Sequence, residues 1–358
     1  MKKTRRDFLK TVGVTALGAG AVVANVKPVR AQAKTFKWRL ATAWPAGIPL
    51  YTDMAEVFAK NAEALSGGRL KIQILPGGAV APALEVTDTV MKGITELGHN
   101  WPGYDIGRDA TTAILGGYAG GMESVPMLHW LYTGGGKELW TKFRMEKFGV
   151  VAFPCGIRPP EVFAHSHKPI RTLADFKGLK MRTVGAWAQI LPELGASVVS
   201  LPGAEVYQAL ERKVIDATEW ATPGENVISG FHEIAKYIIV PGAHQPSAPF
   251  EVVINKAKWD ALPKDLQIII EKSADLASFE SWVRIGRLDM GAMEKFRKTG
   301  NEIIFLSPET QTRCHELGKK WASKIAQENA WFKRTMESQD NFEKQWKEVG
   351  STRYFDYK

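Results

Sequence analysis

The sequence predicts an α/β fold with two lobes. Between Leu179 and Trp220, strand-like runs alternate with helix-like runs, and that alternation favours a parallel sheet covered by helices. Similar alternation precedes and follows this segment. The chain beyond residue 33 is long enough for two domains of the usual ~100–200 residues. A hydrophobic content of 45% supplies a full core.

The segment from Leu179 to Trp220 carries the clearest pattern. Gly195 ends its first helix as a C-cap, and Glu205 lies in the first turn of its second helix, where the dipole favours an acid. The predicted order is strand Lys180–Thr183, helix Ala186–Leu194, strand Ser197–Leu201, a helix with Val206, Leu210 and Val214 on one face, and strand Asp216–Trp220.

Arg182 and Glu219 lie near the carboxyl ends of two of these strands. Ligands of such sheets bind beyond the carboxyl ends of the strands. A cation and an anion at the same edge suit a small carboxylate together with a metal ion. The alternative is a surface arginine and a glutamate in an ordinary salt bridge, and spacing alone leaves both open.

The flanking segments are predicted from their hydrophobic periodicity. Trp101 and Tyr104 follow the third strand, where aromatic rings either line a ligand pocket or belong to the core. Before the central segment we predict strands Phe36–Thr42, Leu70–Leu75, Leu97–Trp101 and Val150–Cys155, and helices Leu50–Leu65 and Glu85–Lys92. After it we predict strands Tyr237–Val240, Phe250–Asn255 and Glu302–Leu306, a long helix to about Lys298, and helix from Pro308 to about Val349.

These elements divide into lobes where the chain crosses over. The apolar strand that ends at Cys155 is followed by Gly156–Phe163, a crossover into the second lobe. The strand Phe250–Asn255 returns to the first lobe. We therefore predict lobe I at 34–157 plus about 250–306, lobe II at 158–249, and a C-terminal helical region at 307–358.

The first 33 residues have the pattern of a twin-arginine (Tat) signal peptide. Arg5-Arg6 precedes a Gly/Ala/Val-rich run, and Ala31-Gln32-Ala33 is a cleavage site. The run is too short for a membrane span. We therefore expect the mature protein to begin at Lys34 in an extracytoplasmic space, the bacterial periplasm.

Charge and cysteine content narrow the function classes. The formal net charge of +9 falls to about +3 once the seven basic residues and one acidic residue of the signal are removed, so the charge is no argument for nucleic acid. The Gly77-Gly78 pair has no phosphate-loop spacing, which argues against nucleotides. Cys155 and Cys314 are either bridged or two buried thiols.

Three motifs resemble the solute-binding subunit of tripartite ATP-independent periplasmic (TRAP) transporters. They are Gly178-Leu-Lys-Met-Arg182, Pro202-Gly-Ala-Glu-Val-Tyr-Gln-Ala-Leu-Glu211 and Ile215-Asp-Ala-Thr-Glu-Trp220. The Glu-Trp ending resembles the branch that binds 2-oxo acids and lactate. The resemblance covers nearly all of the mature chain. It implies a type II-like two-lobed periplasmic binding protein fold with hinge strands and long C-terminal helices.

The resemblance also assigns roles to residues. Arg182 matches the arginine that clamps the substrate carboxylate, for which a bidentate guanidinium is suited. Glu219 and the Trp220 carbonyl match a bound cation site. Glu161 stands where the resemblance implies a glutamine, and Gln245 where it implies an acid. We therefore predict a metal site of Glu161, Glu219, Trp220 and Gln245.

Three further residues complete the predicted substrate site. Counting the formal charges at the site then limits which cation can bind there. Trp101 and Tyr104 are expected in the cleft wall. Arg158 pairs with Glu161 or meets a second polar group on the ligand. With one arginine, two glutamates and an anionic ligand, Ca2+ closes the charge balance, whereas Na+ closes half of it and leaves Arg158 to supply the rest.

The predicted function is that of an extracytoplasmic solute receptor, not an enzyme. It binds a small monocarboxylate with Ca2+ or Na+ and delivers it to the TRAP membrane permease. Two alternatives are a Tat-exported hydrolase with a Glu161/Glu219 carboxylate pair and an ABC-type organic-acid receptor. The C-terminal tryptophans between Trp321 and Trp346 either pack on the parent lobe or form a homodimer contact.

Overall fold

The computed structural model describes residues 34–350 and Thr352. The predicted signal peptide, residues 1–33, lies outside the described residues. Among the described residues, eleven strands form two sheets: β1 Phe36–Thr42, β2 Leu70–Leu75, β3 Leu97–Asn100, β4 Val150–Arg158, β5 Ala164–Ser166, β6 Lys180–Arg182, β7 Ser197–Val199, β8 Ala217–Thr218, β9 Tyr237–Val240, β10 Ala248–Asn255 and β11 Glu302–Phe305.

Helices cover both sheets, so the α/β prediction is confirmed. The long predicted helices are interrupted, one at Gly291 and one at Asn329. The α-helices are Glu56–Leu65, Val86–Met91, Thr111–Gly116, Ser124–Thr133, Gly136–Phe148, Gly185–Ile190, Gly203–Glu211, Pro223–Ile228, Phe231–Ile234, Lys256–Asp260, Lys264–Met290, Ala292–Lys298, Pro308–Glu328 and Ala330–Gly350. The described part of the chain also contains a π-helix, Leu50–Ala55, and 3-10 helices at Ala83–Glu85, Pro102–Gly107, Leu173–Phe176 and Leu191–Leu194.

The first sheet has the strand order β2-β1-β3-β10-β4. β1 is parallel to β2 and β3, whereas β10 is antiparallel to β3 and β4. Val252 and Ile254 of β10 pack with Leu266 and Ile270 of the long helix Lys264–Met290 in one buried cluster. The long helix is therefore fixed on the first sheet.

The second sheet has the order β11-β9-β5-β8-β6-β7. β6 is parallel to β7 and β8, and β9 is parallel to β11, but β5 is antiparallel to both of its neighbours. Both sheets are therefore mixed, which corrects the prediction of a parallel sheet. β11 also pairs in the second sheet, although its residues fall within the range predicted for lobe I.

The C-terminal helices pack on the chain itself. Trp321 lies 5.6 Å from Phe332 between ring centroids, and Trp331 lies 5.6 Å from Phe143. Phe332 is fully buried. These contacts account for the aromatic residues without a second chain, so the homodimer through these helices stays a prediction.

Two further sequence questions are answered by the fold. Cys155 and Cys314 are buried free thiols, so the bridged alternative is wrong. None of the helices in the described range combines the length and apolar character that crossing a bilayer requires.

A candidate ligand and cation site between the two sheets

One cavity lies between the carboxyl-terminal ends of strands from both sheets. Every residue predicted for the site lines it: Trp101, Tyr104, Arg158, Glu161, Arg182, Glu219, Trp220 and Gln245. The cavity volume is about 40 Å³, and a single water needs about 10–15 Å³ on that measure. The enclosed space therefore fits a molecule of a few heavy atoms.

Arg182 and Glu219 meet because β6 and β8 run parallel in register. Arg182 pairs with Thr218 across the two strands, which places Glu219 one residue further at the same edge. Nη1 of Arg182 donates to Oε1 of Glu219 at 3.0 Å, and both side chains are buried. The surface position in the second alternative is therefore wrong, whereas its salt bridge is present and faces the cavity.

The Arg182 guanidinium is held by more than its carboxylate. Its Nε and Nη2 donate to the Leu201 carbonyl at 3.2 and 3.0 Å. The Tyr104 hydroxyl is also within its hydrogen-bonding reach. Its Cζ lies 5.7 Å from the centroid of the Trp220 ring, a cation–π distance. The positively charged guanidinium is therefore preorganised at the cavity wall.

Glu161, Glu219 and His244 form a compact cluster beside this pair. One ligand atom from each lies within 4.8 Å of the others. Nε2 of His244 is 3.2 Å from Oε2 of Glu161, and Nδ1 of His244 has no hydrogen-bond partner among the described residues. Two carboxylates and an imidazole at this spacing suit a single cation.

Burial shifts the pKa values of this cluster away from the charged forms. Burial raises the pKa of Glu161 well above its usual range, and the charge of Glu225 raises it further. Burial also raises the pKa of Glu219, although Arg182 opposes that shift. Burial lowers the pKa of His244 to about 4. The histidine is therefore neutral at pH 7, the form that binds metals.

Arg158 does not pair with Glu161, which corrects one of the two predicted roles. Its Nε and Nη2 donate to Oε1 of Glu225 at 3.0 and 2.9 Å, and its Nη1 donates to the Ser281 carbonyl at 3.2 Å. Both Arg158 and Glu225 are buried. The charge of Arg158 is thus balanced before any ligand binds, and it supplies nothing to the balance of Glu161.

Gln245 is oriented by the backbone around it. Its Nε2 donates to the carbonyls of Gly116 and Ser247, each at 2.7 Å. These two hydrogen bonds fix the amide at the cavity wall and occupy its nitrogen. The side-chain oxygen is the atom of Gln245 suited to a hard cation.

Aromatic side chains form the apolar wall. Nε1 of Trp101 donates to the Gly116 carbonyl at 2.8 Å, and the Trp101 and Tyr104 rings make an edge contact at 5.4 Å. Nε1 of Trp44 donates to Nδ1 of His99 at 2.9 Å. Each ring is thus held in place at its edge rather than free to rotate.

Sequence reasoning missed several residues of this site. Trp44, Trp187, His244 and Phe250 also line the cavity. A signal existed for Trp44, which begins the loop after the first predicted strand, and for His244, which precedes Gln245 in a predicted loop. Glu225 carried no comparable signal, because its partner is 67 residues away.

The donor set fits a hard divalent cation. Oxygen donors from Glu161, Glu219 and Gln245 are of the kind that Ca2+ binds. The imidazole of His244 adds a nitrogen donor at the same place. The two carboxylates, whose pKa values are raised by burial, have only one guanidinium between them. A bound cation would supply the missing positive charge.

Comparison with known proteins places these features in a family. Residues 40–329 match the family described as bacterial extracellular solute-binding protein, family 7 (DctP). A monocarboxylate 2-oxoacid-binding periplasmic protein of Nostoc is 30% identical over 98% of this chain and 97% of its own length.

Solved structures agree in fold. A TRAP protein of Pseudoalteromonas atlantica with bound sodium and pyruvate has a TM-score of 0.83 at 28% identity, over 90% of this chain and 100% of that one. One of Colwellia psychrerythraea with calcium and pyruvate has 0.84 at 27%, over 89% and 98%. One of Bordetella bronchiseptica, a dimer with calcium and picolinate, has 0.84 at 25%, over 89% and 96%.

Proposed function

The chain belongs to family 7 of the bacterial extracellular solute-binding proteins, and on this premise we propose that it is a TRAP solute receptor for a small monocarboxylate. The ligand class is a short 2-oxo acid such as pyruvate, or lactate. A metal cation, Ca2+ or Na+, binds with it. The observation that carries the proposal is the buried Arg182–Glu219 pair facing the cluster of Glu161 and His244.

The chemistry of the cavity supports this ligand class. The guanidinium of Arg182 is a fixed anion binder at one wall, and a carboxylate prefers such a planar donor. Glu161, Glu219, Gln245 and the Trp220 carbonyl, joined by His244, would hold the cation, which would supply positive charge to the ligand's oxygen atoms. The small cavity volume favours a small solute. Two neighbours with similar folds hold pyruvate together with sodium or calcium.

The two lobes and the location follow from the same proposal. Each sheet contributes one wall of the cavity, which supports the predicted division into lobe I and lobe II with capture by closure. A receptor of this family works outside the cytoplasm, and we propose the periplasm. The partner is the TRAP membrane permease.

Size-exclusion chromatography with light scattering tests the predicted homodimer, and a monomeric mass would exclude it.

The alternatives are less well supported. A hydrolase needs one carboxylic acid and one free carboxylate or nucleophile, whereas Glu219 is already bound to Arg182 at 3.0 Å. An ABC-type receptor would share the lobed architecture, but the family match and the structural neighbours belong to TRAP systems. A receptor role uses Arg182 and the cluster of Glu161, Glu219 and His244 without a reaction.

Thermal denaturation of the mature protein tests the proposal. Pyruvate, lactate and 2-oxobutyrate are added in Ca2+, in Na+ and in EDTA. We expect a higher melting temperature only when an acid and a cation are both present. A ligand at 100 times its Kd stabilises the folded state by about 2.7 kcal/mol. The proposal fails if none of the acids raises the melting temperature with either cation.

A further inference from the structure

The Trp101 indole lies in a slot formed by three glycines. A Cβ at Gly103 would be 2.2 Å from the ring, one at Gly116 would be 2.8 Å from it, and one at Gly185 would be 2.3 Å from it. No side chain fits at such distances. Trp101 is 8% exposed. The slot therefore admits Trp101 only because all three positions lack side chains.

The slot joins the two sheets. Trp101 directly follows β3 of the first sheet, and its Nε1 is anchored to the Gly116 carbonyl at 2.8 Å. Gly185 follows β6 of the second sheet and begins the helix Gly185–Ile190. The atoms nearest Gly185 belong to the outer edge of the six-membered ring. The same outer edge also faces Gly103 on the first-sheet side, so the ring is anchored on the first-sheet side and its outer edge meets Gly185 of the second.

The contact is close to the ligand-binding groups. Gly185 is three residues beyond Arg182, with Thr183 and Val184 between them, and all of these except Gly185 line the cavity. A change in the position of Gly185 relative to Trp101 therefore moves the guanidinium relative to the aromatic wall. Trp101 has two functions in this arrangement: it lines the cavity and it spans it.

We propose that Trp101 and Gly185 form a latch that holds the two sides of the cavity together around the ligand. The inference rests on the proposed receptor function. Gly185 acts as a positioning residue, because it touches Trp101 and not the ligand. Opening of the cavity separates the ring from Gly185, so the contact stabilises the closed, ligand-bound form.

Gly185→Ala tests the latch, with Gly178→Ala as the matched control. Both glycines have positive φ, +64° and +73°, so an alanine is strained at either position. A Cβ at Gly178 meets nothing within 4 Å, whereas one at Gly185 overlaps the indole. Backbone strain is thus common to the two variants, whereas the clash with Trp101 occurs in Gly185→Ala and not in Gly178→Ala.

Calorimetric titration with pyruvate in Ca2+ measures the difference. We expect Gly185→Ala to raise the Kd at least tenfold and Gly178→Ala to leave it within twofold of wild type. A Gly185→Ala variant that binds pyruvate within twofold of wild type would overturn the latch. Equal losses in the two variants would overturn it too, because they would point to backbone strain alone.

A double variant separates the contact from a general loss of structure. Trp101→Phe removes the outer ring edge that a Cβ at position 185 would strike. We expect Gly185→Ala to weaken binding less in the Trp101→Phe background than in the wild-type background. Independent, multiplicative effects of the two substitutions would show that the residues do not act through each other.

The latch can be tested separately from the proposed function. If the wild-type protein binds no acid, hydrogen–deuterium exchange of the ligand-free proteins still tests the contact. We expect Gly185→Ala to speed exchange in both peptides that contain Trp101 and Gly185, and Gly178→Ala to leave the Trp101 peptide unchanged. Unchanged exchange at Trp101 in both variants would refute the latch.

Discussion

Glu161→Gln removes one negative charge from the cavity and keeps the size of the side chain. Arg182–Glu219 and Arg158–Glu225 are already neutral pairs, with N–O distances of 3.0 and 2.9 Å. Glu161 therefore carries the remaining formal charge of these groups. A monocarboxylate ligand would raise the deficit to two negative charges. We expect the wild-type protein to prefer a divalent cation and the variant to prefer a monovalent one.

The spacing of the cluster sets the magnitude. Ligand atoms of Glu161 and Glu219 lie within 4.8 Å of each other. Two unit charges at that distance interact by about 3.5 kcal/mol at an effective dielectric constant of ~20. The attraction of Glu161 for a bound Ca2+ is at least comparable, so we expect the variant's Kd for Ca2+ to rise by about 100-fold or more. Na+ carries half the charge and loses correspondingly less.

The same substitution, which weakens Ca2+ binding, should stabilise the protein that has no ligand or cation bound. Burial raises the pKa of Glu161 well above its ordinary 4.5, so the ionised form destabilises the folded state as the pH increases above that value. We therefore expect Glu161→Gln to unfold at a higher temperature than wild type in EDTA. A protonated Glu161 must lose its proton to bind a cation, so the wild-type affinity for Ca2+ increases with pH above 4.5, whereas the affinity of the variant, in which Glu219 is the one carboxylate of the pair left to titrate, increases less steeply.

Calorimetric titration of Ca2+ in the presence of pyruvate, with and without NaCl, measures these effects. Glu205→Gln is the control, because Glu205 is an exposed glutamate on the second-sheet side of the chain. It makes the same chemical change away from the cavity. A Glu161→Gln variant whose Ca2+ Kd is within threefold of wild type would refute the charge-balance reasoning.

Three further predictions concern stability and reactivity. Arg182→Ala leaves the buried Glu219 without its partner, so we expect a loss of about 3–5 kcal/mol in the free energy of unfolding, measured in urea. Burial lowers the pKa of His99 to about 4. The unfolded chain therefore binds more protons between pH 6.5 and 4, and stability should fall on acidification by up to about 1.4 kcal/mol per pH unit from this group, as urea titrations at several pH values would reveal. Burial raises the pKa of the Cys314 thiol to about 12 and that of Cys155 further, so a thiol reagent should label neither in the folded protein and both in urea.

Elements with strong periodicity could be predicted from the sequence, and those without it could not. β1, β2 and β9 have the predicted bounds, because alternating or continuous apolar runs bounded by turn residues are local signals. β5 was missed. It has only three residues, Ala164–Ser166, and its pairing on both sides depends on β8 and β9, which lie far along the chain.

The direction of a strand could not be predicted from the local sequence, for the same reason. The sequence of β10 reads as a buried strand whether it pairs parallel or antiparallel. Its direction depends on where the preceding second-sheet segment returns to the first sheet, and this is a property of the whole fold. The meeting of residues at strand ends was easier to predict, because it depends less on the direction of distant strands. Arg182 and Glu219 needed only two parallel neighbours to meet, which the strand–helix–strand spacing did predict.

The partner of Arg158 shows why site residues and their roles differ in predictability. Its place at the cavity follows from its position at the end of β4, which the crossover after Cys155 indicated. Its role depends on Glu225, which approaches it only in three dimensions. Because that pair is closed, Arg158 cannot complete the charge balance of a site that holds Na+. The negative charge of Glu161 must then be met by a divalent ion or by a proton, so this one buried contact makes the choice of cation dependent on pH.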